Sequence, residues 1–157
     1  MTTSAQDELA RKRMNKALKY LRMFLQDTPQ LNRLTFDYEL DDEHLRFAID
    51  MCISDWNSTT PPLPFKSISN FPSLYLLMHG AAIQCLKMAG IRQSRNELTY
   101  SSGGSSFARS NKTGLYQSWI SMFTNDYEVK KRNTKIAQNV SRGYGNIHSE
   151  YDSIGLW

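Results

Sequence analysis

Apolar side chains recur along this 157-residue chain at three- and four-residue steps in four separate stretches, and each stretch predicts a helix with one buried face. The first helix should run from Ser4 to Gln26. Leu18, Leu21, Phe24 and Leu25 give its back half a stripe, whereas Leu9, Arg13 and Lys16 give the front half none, so the front half is expected to be exposed. Asp27-Thr28-Pro29 ends it. Residues 34–40 alternate apolar and polar and predict a short extended segment. A second helix, Asp42 to Asn57, buries Leu45, Ala48, Ile49, Cys52 and Trp56, with Asp41 or Asp42 placed to cap it. Pro61-Pro62 cannot continue it. A third helix, from its cap Ser73 to Ala89, is apolar on nearly every face and should be the buried central one, with Gly90 either stopping it in a left-handed turn or passed over by a helix that Ile91 extends. Gly80 and the neighbouring alanines would let another element come close. The fourth, Lys112 to Gln138, carries the stripe Tyr116, Trp119, Ile120, Phe123 and Tyr127.

Between these helices lie segments with their own logic. The proline-rich loop 61–72 holds Leu63, Phe65, Ile68 and Phe71, which must pack on the core or meet a partner. Residues 97–108 read as a β-hairpin turning at Gly103-Gly104, with Tyr100 and Phe107 on its arms, and two such short strands need a surface to hold them. After Asn139 the helical period is lost, while Tyr144, Tyr151, Leu156 and Trp157 keep the segment too apolar to solvate freely. The expectation is one mainly α domain over 1–139, four helices with the hairpin between the third and fourth, followed by an extended tail over 140–157 that docks on another subunit or, as the alternative, folds back on its own core.

Composition narrows the function classes. Apolar and charged fractions of 40% and 22% suit a folded globular domain. Met1 to Asp7 is small and polar, so no secretory signal is expected, and the longest apolar run, Leu74 to Met78, is far short of a bilayer span. Cys52 and Cys85 fall on apolar helix faces and read as buried thiols rather than ligands. His44, His79 and His148 lie in three different elements without catalytic or metal spacing, and Asp50 and Asp55 do not share a helix face. Gly103-Gly104-Ser105-Ser106 lacks the lysine and spacing of a phosphate-binding loop. No enzyme, cofactor, metal or membrane is therefore expected. The net charge of +4 is concentrated in Arg11, Lys12, Arg13, Lys16, Lys19 and Arg22 and in a second group, Lys130, Lys131, Arg132 and Lys135. Either group could meet phosphates or acidic neighbours, or simply be a solvated face; Arg11, Lys12 and Lys16 are the candidate electrostatic contacts.

The acidic-capped helix that ends in Asp55-Trp56-Asn57-Ser58-Thr59-Thr60-Pro61-Pro62 resembles a group of tailed-bacteriophage virion proteins, the head–tail connector or adaptor proteins of the neck. The resemblance continues through the apolar helix, the hairpin, the Tyr116/Trp119/Phe123 helix and Asn125-Asp126-Tyr127-Glu128, over about residues 35–150. It implies an adaptor-like helical fold and a structural protein that assembles in the host cytoplasm into the virion. Such proteins form rings with themselves, commonly dodecamers, that link the portal to the tail or to a second neck protein. DNA passes through the channel without sequence-specific binding. Partner contacts are expected at Phe65, Phe71, Tyr100, Gly103, Gly104, Phe107, Tyr144, Tyr151, Leu156 and Trp157; Leu156 and Trp157, like the basic first helix, lie outside the resemblance and are named for their side chains alone. A tail-completion or baseplate component is the alternative within the same particle, and a small nucleic-acid-binding regulator the alternative from another class.

Overall fold

Four helices form where the apolar periodicity places them: α1 (Thr2–Leu25), α2 (Asp42–Ser58), α3 (Leu74–Arg95) and α4 (Thr113–Tyr144). The computed structural model describes residues 2–32, 36–95, 99–102, 105–108 and 113–144. The fold is mainly helical, and α3 sits at its centre, packed by α1, α2 and α4. Its Leu76, Leu77, Ala81, Ala82 and Cys85 are buried among Leu21 of α1, Leu45, Ile49 and Trp56 of α2, and Tyr127 of α4. Length and composition alone would let α3 cross a bilayer; here Leu76, Leu77, Met78, Ala81, Ala82, Ile83 and Cys85 are buried in the core, while Leu74 and Ile91 near its ends are exposed. Thr99–Ser102 and Ser105–Ala108 run antiparallel, Tyr100 opposite Phe107.

The second helix behaves as its sequence predicts, since Leu45, Ala48, Ile49, Cys52 and Trp56 are all buried. Its start differs in one respect. Asp41 takes the N-cap position but its side chain makes no capping bond, and Asp42 instead receives Arg22 at 2.7 Å. Ser73 does cap α3, its Oγ accepting from the Leu76 N–H at 3.5 Å.

Several expectations need correction. Residues 36–40 form no strand, because Asp27 captures the N–H groups of Glu39 and Leu40 and Phe36 is left-handed at φ 52°. Gly90 does not stop α3. The helix continues to Arg95, and the Tyr116 side chain packs where the missing Gly90 side chain leaves room. The fourth helix does not end at Gln138; Val140–Tyr144 are helical, so a tail beginning at 140 is excluded and Tyr144 is the last residue of α4. Trp119, read as core, is 51% exposed, while Ile120, Phe123 and Tyr127 face inward. Gly103, Gly104, Tyr151, Leu156 and Trp157 lie outside the described residues.

The end of α1 is a Schellman motif built without glycine. The Asp27 N–H reaches the Arg22 carbonyl at 3.1 Å and the Gln26 N–H reaches Met23 at 3.3 Å, with Gln26 at φ 55°. Asp27 then gathers four donors, from Arg22, Asn32, Glu39 and Leu40, at 2.7–3.1 Å. One buried carboxylate thus fastens the α1–α2 connection, and Arg22 spans from it to Asp42.

Candidate functional site

Asp55 to Pro62 is more than a helix stop: it anchors a clamped loop. Asn57 brackets Lys66 with two bonds, Nδ2 donating to the Lys66 carbonyl at 2.8 Å and Oδ1 accepting its N–H at 2.9 Å. From α4, Lys135 donates to the carbonyls of Thr59 and Pro61, which are joined through a cis Thr60–Pro61 bond. From α1, Arg13 donates to the Ser69 carbonyl. Within the loop, Asn70 Oδ1 accepts the Ser67 N–H at 2.6 Å. Leu63, Ile68 and Phe71 pack against the core.

What this clamping leaves free is one aromatic ring. Phe65 is 75% exposed although its neighbour Lys66 is bonded on both sides. Phe71, the other loop phenylalanine expected at a partner contact, is half-buried here, and its ring meets Trp56 edge-on at 5.5 Å. The two phenylalanines of one loop are therefore placed differently, one packed on the core and the other turned outward beside a bonded backbone.

Behind the loop lies a polar cluster that the sequence reading missed. Lys131 and Lys135 were grouped with the surface charges, yet they are 3% and 1% exposed. Lys131 donates to Asp55 and Glu128, each at 2.8 Å, and Tyr127 donates its hydroxyl to the same Asp55 oxygen at 2.9 Å. Burial pulls the Lys131 ammonium down, but the bonds and charges of Asp55 and Glu128 outweigh it and leave it above its ordinary value. Lys135 lies over the Trp56 ring at 5.2 Å; burial, then the charge of Lys131, hold its ammonium below the usual lysine value. Burial raises the Tyr127 hydroxyl, with Cys52 and Asp55 adding to it, and pushes the Cys52 thiol up to about 12. The tyrosine and thiol are held protonated and the Lys131 ammonium charged, so none of these three is poised as a base or nucleophile at neutral pH. The signal available in the sequence was spacing, since Lys131 and Lys135 continue the inward stripe of Tyr127 at four-residue steps.

The basic face of α1 is partly as expected. Arg11, Lys12 and Lys16 are exposed, but Lys12 pairs with Glu8 at 2.6 Å and Lys16 lies over the Tyr20 ring at 5.5 Å. Arg13 and Arg22 serve the fold instead, through Ser69 and through Asp27 and Asp42. Lys130 pairs with Asp126 at 3.4 Å and lies over Tyr75, so the second basic group is largely absorbed within the chain.

A third feature is an aromatic cluster where α1, α3 and α4 meet. His79 stacks on Tyr75 with ring centres 3.8 Å apart and contacts Phe24 and Phe123. Beside it, Phe24, Leu25, Leu86, Leu115, Trp119 and Phe123 line an apolar groove of about 510 Å³. Compared with protein-family models, with curated proteins and with solved structures, the chain matches none.

Proposed function

We propose that this chain is a structural protein of a tailed-phage virion, forming a ring in the head-to-tail neck that joins the portal to the tail and leaves a channel for DNA. The observation that carries the reading is the clamped loop. The residues behind the resemblance, Asp55 to Pro62, fix a loop whose outcome is the presentation of Phe65. A large aromatic held in place before binding loses little entropy on docking and suits an interface anchor.

Assembly contacts are assigned to Phe65, to the hairpin 97–108 with Tyr100, Gly103, Gly104 and Phe107, and to Tyr144, Tyr151, Leu156 and Trp157. In a ring each subunit offers one surface to a different surface of the next, so separate patches are what such an assembly needs. Arg11, Lys12 and Lys16 would face DNA or acidic neighbours. The neck reading takes the chain to act without cofactor or membrane.

Native mass spectrometry of the full chain at rising concentration tests this. A single closed copy number, on the order of a dozen, is expected from the ring reading. Absence of any closed oligomer, together with duplex-DNA binding that falls steeply with salt, would instead favour the regulator reading, which the exposed basic face of α1 motivates.

A further inference from the structure

The α4 helix carries two apolar stripes, and only one of them is used by the fold. Ile120, Phe123 and Tyr127 face the core. Leu115, Trp119, Met122, Val129, Ile136 and Val140 lie on another face, roughly a third of a turn away, and expose between 43% and 63% of their surface. With Asp126 and Asn133 these positions alternate four- and three-residue steps without a break, the seam of a coiled coil. The seam runs for about 38 Å. One set of alternate positions, Leu115, Met122, Val129 and Ile136, is wholly apolar; the other holds Trp119, Asp126, Asn133 and Val140.

Such a seam fits another helix with the same repeat. Among the described residues, no other helix exposes more than two large apolar side chains at matching spacing. We propose that α4 pairs antiparallel with α4 of a second copy of this chain along this seam. Charge decides the direction. Parallel pairing in register would set Asp126 against Asp126 of the second copy and Trp119 against Trp119, a like-charge contact and a crowded layer. Antiparallel pairing gives the layers Leu115/Val140, Trp119/Ile136, Met122/Asn133 and Asp126/Val129, each between copies. It also sets the Asp126–Lys130 ion pair within each chain beside that of the other, with opposite charges facing, on both sides of the two-fold axis. Asn133 at a seam position fixes the register at some cost in stability. This pairing is independent of the neck reading.

The test is oxidative cross-linking of the full chain carrying single added cysteines, in a background where the two native thiols are buried. A mixture of Met122→Cys and Asn133→Cys chains should give a linked dimer, while neither variant alone should. Linkage of each variant to itself, or no linkage in the mixture, overturns the antiparallel pair. Val129→Glu, at a site 61% exposed in the single chain, should leave thermal stability unchanged and abolish the dimer seen by sedimentation. A Val129→Glu chain that dimerises like the parent overturns the seam itself.

Discussion

The α carbon of Gly80 faces the sulfur of Cys52 so closely that a methyl group there would overlap it and stand 2.9 Å from the Tyr127 ring. Three helices meet at that point: α3 through Gly80, α2 through Cys52 and α4 through Tyr127. Gly80→Ala would gain about 0.5–1 kcal/mol of helix preference. Overpacking at a site closed on two sides by buried groups costs about 1–3 kcal/mol or more. The loss should win, lowering the denaturation midpoint; a raised midpoint would contradict this packing.

Gln26 offers the opposite case. It holds φ 55° at the end of α1, where glycine is at no steric disadvantage. Gln26→Gly gives up an exposed side-chain bond to the Met23 carbonyl but relieves about 1–2 kcal/mol of left-handed strain. A modest net stabilisation by chemical denaturation is expected, and destabilisation would show that the side-chain bond matters more than the backbone.

Alkali should weaken the fold through its cysteines. Burial raises Cys52 and Cys85 from 9.0 to about 12. Above pH 9 the unfolded chain releases these protons while the folded chain keeps them, so stability falls with rising pH across that window. Each thiol contributes up to about 1.4 kcal/mol per pH unit. Tyr127, also raised, adds in the same direction above pH 10, and Lys131 adds above its ordinary value, whereas Lys135, held low, opposes them. Between pH 9 and 10 the cysteine slope leads, so a Cys52→Ala/Cys85→Ala chain should show a flatter unfolding profile there. An unchanged slope would mean that the thiols are not protected.

Phe65 should separate assembly from stability. Because the ring is largely exposed, Phe65→Ser is expected to change stability by no more than about 0.5 kcal/mol. The same change should weaken self-association or partner binding in sedimentation. By contrast Lys135→Ala, which strips the donor from two loop carbonyls, should cost about 1–3 kcal/mol and loosen the loop. Equal stability losses in the two variants would remove the distinction between presented ring and clamp.

Charge reversal of Arg11, Lys12 and Lys16 to Glu should spare folding, since all three are exposed. It should weaken assembly or DNA retention most at low salt, where screening is slight. Unaltered assembly at every ionic strength would leave this face without a role.

Much of the helical frame could be read from spacing. The α2 stripe and the apolar crowding of α3 are strong periodic signals, and tertiary packing agrees with both. The misreadings fall where two signals compete. On α4 both Trp119 and Phe123 fit an inward stripe, and only packing against Phe24 and His79 selects Phe123. Lys131 and Lys135 read as surface because lysine usually is, but Asp55 and the carbonyls of Thr59 and Pro61 supply partners from a distant part of the chain. Phe65 and Phe71 look alike in sequence. What tells them apart is that Asn57 holds Lys66 while Trp56 receives Phe71.

The ring itself is the central claim, and electron microscopy of the purified full chain at high concentration tests it most directly. The account predicts closed rings of uniform copy number around a central opening that admits duplex DNA. Fields of single subunits and two-fold dimers, with no closed ring at any concentration, would contradict it.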